Sequence, residues 1–258
     1  MRRLIDLVAR LRAPDGCPWD REQGAADLRA YLLEEAHEAA AAIDTGDWGE
    51  LAGELGDLLF QIAFLVRLAE ERGAFDLEKV VDGIEAKMVA RHPHVFGGET
   101  LADARAVREA WERRKLREPG RESLLAGVPP SLPALLAAYR LTQKAAGVGF
   151  DWPEPQAVLD KVDEEVAELR GALADGKRED ARDTKEKVTE EIGDLLFTVA
   201  NLGRKLDVDP EAALAAANRK FRRRFEQIER RLAEQGRTAD EASLAEMDAL
   251  WDEAKREP

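Results

Sequence analysis

The phrase GELGDLLF at residues 53–60 returns as EEIGDLLF at residues 190–197. A repeated acidic and apolar phrase of this kind limits the chain to folds in which the same helical element is built twice. The repeat extends well beyond the phrase. Residues 31–60 and 161–197 each carry EExxE, then a turn with a glycine (Gly46, Gly176), then ExGD or EIGD followed by LLF. Further along, KMVAR (87–91) parallels KFRRR (220–224), and WERRK (111–115) parallels WDEAK (251–255). The approaches match too: GCPWD at 16–20 and GFDWP at 149–153 each place a tryptophan-bearing loop before the first acidic helix.

The repeated unit therefore reads as a loop, an acidic helix, a turn, a second acidic helix, a basic helix and a short tryptophan helix. Apolar residues recur at spacings of three and four, runs of alternating β-branched residues are missing, and 36% of residues are charged, a pattern that belongs to an all-α chain. Helices are expected near 25–44, 48–71, 76–91 and 103–117, then near 155–174, 180–205, 209–235 and 241–256. An amphipathic helix is expected at the N-terminus. Asp47 and Asp209 sit where N-caps belong, with Pro210 at the first helical position. The Pro- and Gly-containing stretch 118–130 reads as a linker that leads into a helix at 131–146. The expected organisation is two tandem helical domains, 1–117 and 131–258. Duplication for structure alone, as in a helical array, is the plainer explanation, but two copies are few for a solenoid.

The acids carry the chemistry. Glu165 and Glu168 share one helix face, and so do Glu191 and Asp194; Glu35 with Glu38 and Glu54 with Asp57 repeat the arrangement. The helix EEIGDLLFTVANL is apolar almost all round, with a narrow polar stripe of Glu191, Asp194, Thr198 and Asn201. Its first-half counterpart is Glu54, Asp57 and Gln61. Because Ile192, Leu195, Leu196, Val199 and Leu202 leave little other solvated surface, the stripe is expected to face a cleft, with Leu195, Leu196 and Phe197 packing a bundle. Four carboxylates about 6 Å apart would repel by roughly 2–3 kcal/mol per pair at an effective dielectric near 20. Such a set must be protonated, paired with bases or bound to cations. Oxygen ligands without His or Cys favour hard cations, Mg²⁺ or Mn²⁺. A di-iron bundle would need Glu-x-x-His on two helices; Glu34 and His37 supply one such pair and the second half supplies none. His92 and His94 are expected to pack or cap.

The net charge of −14 argues against general nucleic-acid binding, since no basic excess neutralises a phosphate backbone. The single cysteine, Cys17, precludes an intramolecular disulfide framework and suits a reducing cytoplasm. No span reaches the apolar length of a membrane helix, and the N-terminus lacks a signal peptide's apolar core. A cytoplasmic chain is expected.

The ExxE…ExxD motif, together with CPWD, RHPHVF and GFDW at these places, resembles the MazG nucleoside triphosphate pyrophosphohydrolases over essentially the whole chain. The resemblance implies all-α domains, each with a four-helix-bundle type core, a homodimer, and Mg²⁺-dependent hydrolysis of nucleoside triphosphates to monophosphate and pyrophosphate. It implies metal ligands at Glu165, Glu168, Glu191 and Asp194, with counterparts at Glu35, Glu38, Glu54 and Asp57. It also implies functional roles for Lys187, Glu190, Lys220, Arg224 and Trp251. The chemistry agrees: a triphosphate needs cations beyond one metal, the guanidinium of Arg224 can fork onto phosphate oxygens, and Trp251 can stack on a base without reading its identity. Glu165 or Glu190 is the candidate to orient or deprotonate the attacking water.

The halves differ at informative places. Lys187 and Glu190 precede Glu191, whereas Glu50 and Gly53 hold the matching positions before Glu54; the first half keeps Lys87, Arg91 and Trp111. The second half is expected to carry most of the activity. Two competing readings remain at this point. One is a helical module that binds a regulatory protein partner and keeps a vestigial metal site. The other is a related all-α pyrophosphatase selective for dUTP, dCTP or a modified nucleotide.

Overall fold

The structure, a computed structural model, describes residues 1–104, 106–107, 110–111, 114, 123–175 and 181–256. Among the described residues it is helical with no strand. It divides into two compact units, Met1–Leu101 and Ala102–Pro258.

In the first unit, α1 (Arg2–Leu11) and the short α2 (Pro18–Glu22) precede two long helices, α3 (Leu28–Thr45) and α4 (Trp48–Glu71). The turn between α3 and α4 explains itself chemically. Gly46, at φ 74°, ends α3 in the left-handed region that a side chain disfavours. Asp47 then caps α4 by accepting from the amides of Gly49 and Glu50 at 2.9 and 3.0 Å, as its place in the sequence predicts. The core lies where α1 and α3 pack on α4: Val8, Leu28, Phe64 and Leu68 form one buried cluster, and Ile5, Ala63 and Val66 another. α5 (Leu77–Arg91) and α6 (Pro93–Phe96) follow. Asp76 caps α5, and the Nδ1 of His92 lies 2.6 Å from the Met88 carbonyl, so this histidine caps as expected. α5 buries no residue, and Val80, Val81 and Ile84 on it are exposed.

Arg12 locks this unit together. It makes two hydrogen bonds to the Glu71 carboxylate from Nε, at 3.1 and 3.2 Å, and one from Nη2 at 2.9 Å. Its Nη1 donates to the carbonyls of Asp20 and Gln23, and its guanidinium lies 5.5 Å over the Phe64 ring. These bonds hold the Glu71 carboxyl below the usual carboxylate range. Arg12→Ala should therefore cost about 2 kcal/mol locally. Native-state hydrogen exchange should show α4 amides opening about thirtyfold more readily, with amides of the second unit unchanged.

In the second unit, turns at 123–132 lead into α7 (Ala134–Ala146), which starts after Pro133 rather than at residue 131. Buried Lys144 donates to the carbonyls of Leu124 and Ala126, at 3.4 and 2.7 Å, and ties these turns to α7. The long pair α8 (Pro155–Asp175) and α9 (Ala181–Lys205) repeats α3 and α4, with α7 packed on α9 as α1 packs on α4. α10 (Pro210–Glu234) begins at Pro210, and Asp209 caps it at 2.9 and 3.0 Å. The last expected helix, 241–256, is shorter: a 3₁₀ turn at Ala239–Glu241 closes in a Thr238–Glu241 capping box, and α11 runs Leu244–Ala254 behind Ser243. Within the expected helix at 103–117, residues 104, 106–107, 110–111 and 114 are helical. The rest of that segment, and the expected turn at Gly176, lie outside the described residues.

One expectation about packing is corrected. Ile192, Leu196, Phe197 and Val199 are exposed, so the girdle of α9 does not pack a closed bundle within the unit. α8 and α7 cover only part of α9, and an apolar sequence all round a helix does not say which side finds a neighbour.

Candidate active site

In each unit the acidic helices bring three carboxylates together. Oxygens of Glu35, Glu38 and Glu54 lie within 4.8 Å of one another, and those of Glu165, Glu168 and Glu191 do the same. Helical spacing places the first two of each triad one turn apart on α3 or α8, and the facing helix supplies the third. Asp57 and Asp194 sit one turn beyond that third acid; both are exposed and stand outside the triads. They remain near enough to act on them. Burial first, then Glu168, Glu165, Glu190 and Asp194, push the Glu191 carboxyl above its ordinary range. In the first unit burial, Glu38, Asp57, Glu35 and Glu50 do this to Glu54. Glu35 is raised by burial, then by Asp57, Glu38 and Glu34, with a hydrogen bond from Gln61 opposing.

The two triads have different surroundings. Glu165 is buried, at 4% exposure, and its Oε1 lies 2.9 Å from the Lys161 ammonium. Lys161 also meets Glu164 at 2.8 Å, and both acids hold the ammonium charged well above the usual lysine range. The matching position before Glu35 is Tyr31, which packs on the hydrophobic core. The sequence reasoning missed Lys161, although its place one turn before Glu165 was legible as an i,i+4 pair.

The remaining expected residues lie on three elements. Lys187 and Glu190 are exposed on α9. Lys220 is exposed and Arg224 half-buried on α10, one turn apart. Trp251 on α11 lies 5.2 Å from the Phe221 ring, and the Arg224 guanidinium stands 5.7 Å over its face. The buried Arg224 Nε has no hydrogen-bond partner among the described residues. Arg224 thus presents its guanidinium from an aromatic platform, a geometry that pre-orders it for an anion.

Known proteins resemble both halves of the chain. Residues 23–96 match the family described as MazG nucleotide pyrophosphohydrolase domain, and residues 146–221 match the phosphoribosyl-ATP pyrophosphohydrolase family. The chain is 39% identical to the nucleoside triphosphate pyrophosphohydrolase/pyrophosphatase MazG of Thermotoga maritima, across 98% of this chain and 94% of that protein. It is 41% identical to a nucleoside triphosphate pyrophosphohydrolase of Escherichia coli K12, across 99% and 97% of the two chains. The chain belongs to the MazG family. A further relative, the uncharacterized protein YabN of Bacillus subtilis, is 40% identical across 96% of this chain and half of its own length. Both units are all-α among the described residues, consistent with the all-α nucleoside triphosphate pyrophosphatase fold. No helix among the described residues is long and apolar enough to cross a membrane.

Proposed function

We propose that this chain hydrolyses nucleoside triphosphates to monophosphate and pyrophosphate, with a divalent cation, Mg²⁺ or Mn²⁺, at the acidic triads, and that the second unit does most of the work. The observation that carries this reading is the Glu165–Glu168–Glu191 triad flanked by an ammonium. Three carboxylate oxygens within 4.8 Å, one of them on a carboxyl raised above its ordinary range by burial and by its acidic neighbours, fit a hard cation that would relieve their repulsion. In the first unit the buried Oε1 of Gln61 has no donor among the described residues. An orphan acceptor beside an acidic triad fits the same cation. Asp57 and Asp194, one turn further along their helices, would complete each ligand set.

The cation would offset charge on the phosphates and acidify a water. The chain's own residues do the rest. Lys187, Lys220 and Arg224 bind phosphate oxygens, Trp251 backs the Arg224 guanidinium rather than the base, and Lys161 adds a cation at the triad that the first unit lacks. Glu165, committed to Lys161 and to metal, is a poorer proton acceptor than exposed Glu190. Water attacks the α-phosphorus, the bond to the β-phosphate oxygen breaks, pyrophosphate leaves with the bonding pair, and Glu190 takes the proton.

The domain limits 1–117 and 131–258, a cytoplasmic setting and a homodimer belong to the same proposal. The exposed rows Val80, Val81 and Ile84 on α5 and Ile192, Leu196 and Val199 on α9 support self-association, since contiguous apolar faces of this kind mark contact surfaces. Light scattering should give twice the chain mass. The activity is tested by incubating the chain with ATP, GTP, CTP, UTP, dUTP, dCTP and phosphoribosyl-ATP, with and without Mg²⁺, and measuring pyrophosphate. Cation-dependent release from the triphosphates is expected. No release from any of them would overturn the assignment and favour an interaction module.

A further inference from the structure

The second unit contains a cavity of about 290 Å³ lined by none of the triad acids or the expected phosphate-binding residues. Its walls come from α7 (Thr142, Ala145), the loop before α8 (Phe150, Trp152) and α9 (Phe197, Asn201). The volume lies at the small end of ligand sites, enough for one flat ring system and too little for a whole nucleotide. The lining is largely apolar and aromatic; Asp151 and Arg204 also border it, paired with each other, and one polar group has incomplete hydrogen-bonding. Asn201 is 1% exposed and its Nδ2 has no partner among the described residues. Leaving a buried amide donor unpaired is costly, so its retention calls for a ligand.

The direction of that donor is determined by its neighbours. Arg204 Nε donates to Asn201 Oδ1 at 2.9 Å. Because a guanidinium only donates, the amide oxygen must face the arginine and the NH₂ must face away. Arg204 is itself held by Asp151, which Lys205 also contacts at 2.8 Å. Burial raises the Asp151 carboxyl, but hydrogen bonds from Lys205 and Arg204 outweigh it and hold the group ionised. Thr142, by contrast, spends its hydroxyl on the carbonyls of Ala138 and Tyr139. Beside the Asp151–Arg204 pair, which is engaged with itself and with Asn201 Oδ1, the cavity therefore offers aromatic faces and one oriented N–H donor without a partner among the described residues.

The first unit carries larger side chains at the matching positions. Phe64 stands seven residues after Asp57, as Asn201 stands seven after Asp194. Counted back from the glycine of each tryptophan loop, Arg12 occupies the place of Ala145, and its guanidinium lies over Phe64. Two larger side chains in contact stand in one unit where two smaller ones border the cavity in the other.

We infer that the cavity beside Asn201 is a nucleobase subsite, taking a planar heteroaromatic ring that offers a carbonyl oxygen or ring nitrogen to the Asn201 amide. This rests on the second unit being the triphosphate site. Seven residues place Asn201 within about 20° of Asp194 around α9 and about 10 Å along it, so phosphates at the triad and a base in the cavity are joined by the length of the sugar. Every common base carries such an acceptor, so the subsite accepts several bases and ranks them by edge.

Steady-state kinetics on the full chain should compare ATP, GTP, CTP and UTP with the base-free ribose triphosphate. Asn201→Leu is expected to raise KM for the nucleotides about tenfold, leaving kcat and the base-free substrate within about twofold. Ala145→Phe, which fills the cavity without touching the amide, should do the same and guards against misfolding of the first variant. Equal losses on both substrate types, or no loss, would overturn the inference. Saturation-transfer NMR with adenosine and cytidine reads the cavity without turnover, and base-proton signals should vanish in Ala145→Phe. Base signals without triphosphate hydrolysis would overturn the activity and spare the cavity; hydrolysis without base signals would do the reverse.

Discussion

Glu191→Gln should lower pyrophosphate release about a thousandfold, about 4 kcal/mol of transition-state stabilisation, whereas Glu54→Gln should leave most of the turnover in place. Glutamine keeps the shape of the side chain and removes its charge, so the helix pair is retained and the ligand is lost. Glu191 is the carboxylate that α9 brings to the second triad, and Glu54 is its equal in the first. The asymmetry comes from what surrounds them. The second triad has Lys161 at 2.9 Å from Glu165 and Lys187 and Glu190 on α9. At the corresponding places the first has Tyr31, Glu50 and Gly53. A site with fewer cations for a triphosphate and no second acid beside the ligand has less to offer the transition state. The measurement is initial-rate pyrophosphate release at saturating Mg²⁺ and NTP. Loss of turnover in Glu54→Gln with Glu191→Gln unimpaired would reverse the assignment of the two units.

Local chemistry was readable from the sequence wherever one residue acts on its near neighbours. Asp47 and Asp209 were legible as caps because an N-cap needs only its own side chain and two following amides. Four acids were read for each set because a spacing of three puts two on one face and the repeat identified the facing helix; three of each four come together, and Asp57 and Asp194 stand outside. What the sequence hid depends on distant partners. Leu196 and Phe197 were expected to pack a bundle, yet they are exposed; hydrophobicity says that a face seeks cover and not which element supplies it. Trp251 was legible as aromatic, but its pairing with Arg224 and Phe221 joins α11 to α10 through contacts that no spacing predicts. Asn201 appeared in the polar stripe of α9 without a purpose. Its meaning needs Ala145, more than fifty positions earlier, to be small, and needs Arg204 to hold one end of its amide.

The second large effect concerns stability. The carboxyls of Glu35, Glu54 and Glu191 are raised in the folded chain, by burial first and neighbouring carboxylates next. A raised carboxyl binds more protons folded than unfolded, so its contribution to stability falls as pH rises from the ordinary carboxylate range through the raised value. Glu71 and Asp151 are shifted down and act with the opposite sign, losing their contribution as pH falls. Comparison of wild type with Glu54→Gln/Glu191→Gln isolates the two raised carboxyls on α4 and α9, leaving Glu35 unchanged. At neutral pH the metal-free double variant should melt a few degrees above metal-free wild type, because charge repulsion in both triads is relieved; at mildly acid pH that gap should close. Mg²⁺ at about a hundred times its Kd should stabilise wild type by about 2.7 kcal/mol per site, a rise in Tm of about 10 °C for a unit of this size. The rise should shrink on acidification, since protons compete for the same oxygens. It should be absent in the double variant. Calorimetry with and without Mg²⁺ at several pH values makes the measurement. A wild-type Tm indifferent to Mg²⁺ at neutral pH, or a full Mg²⁺ effect in the double variant, would show that the triads hold no cation.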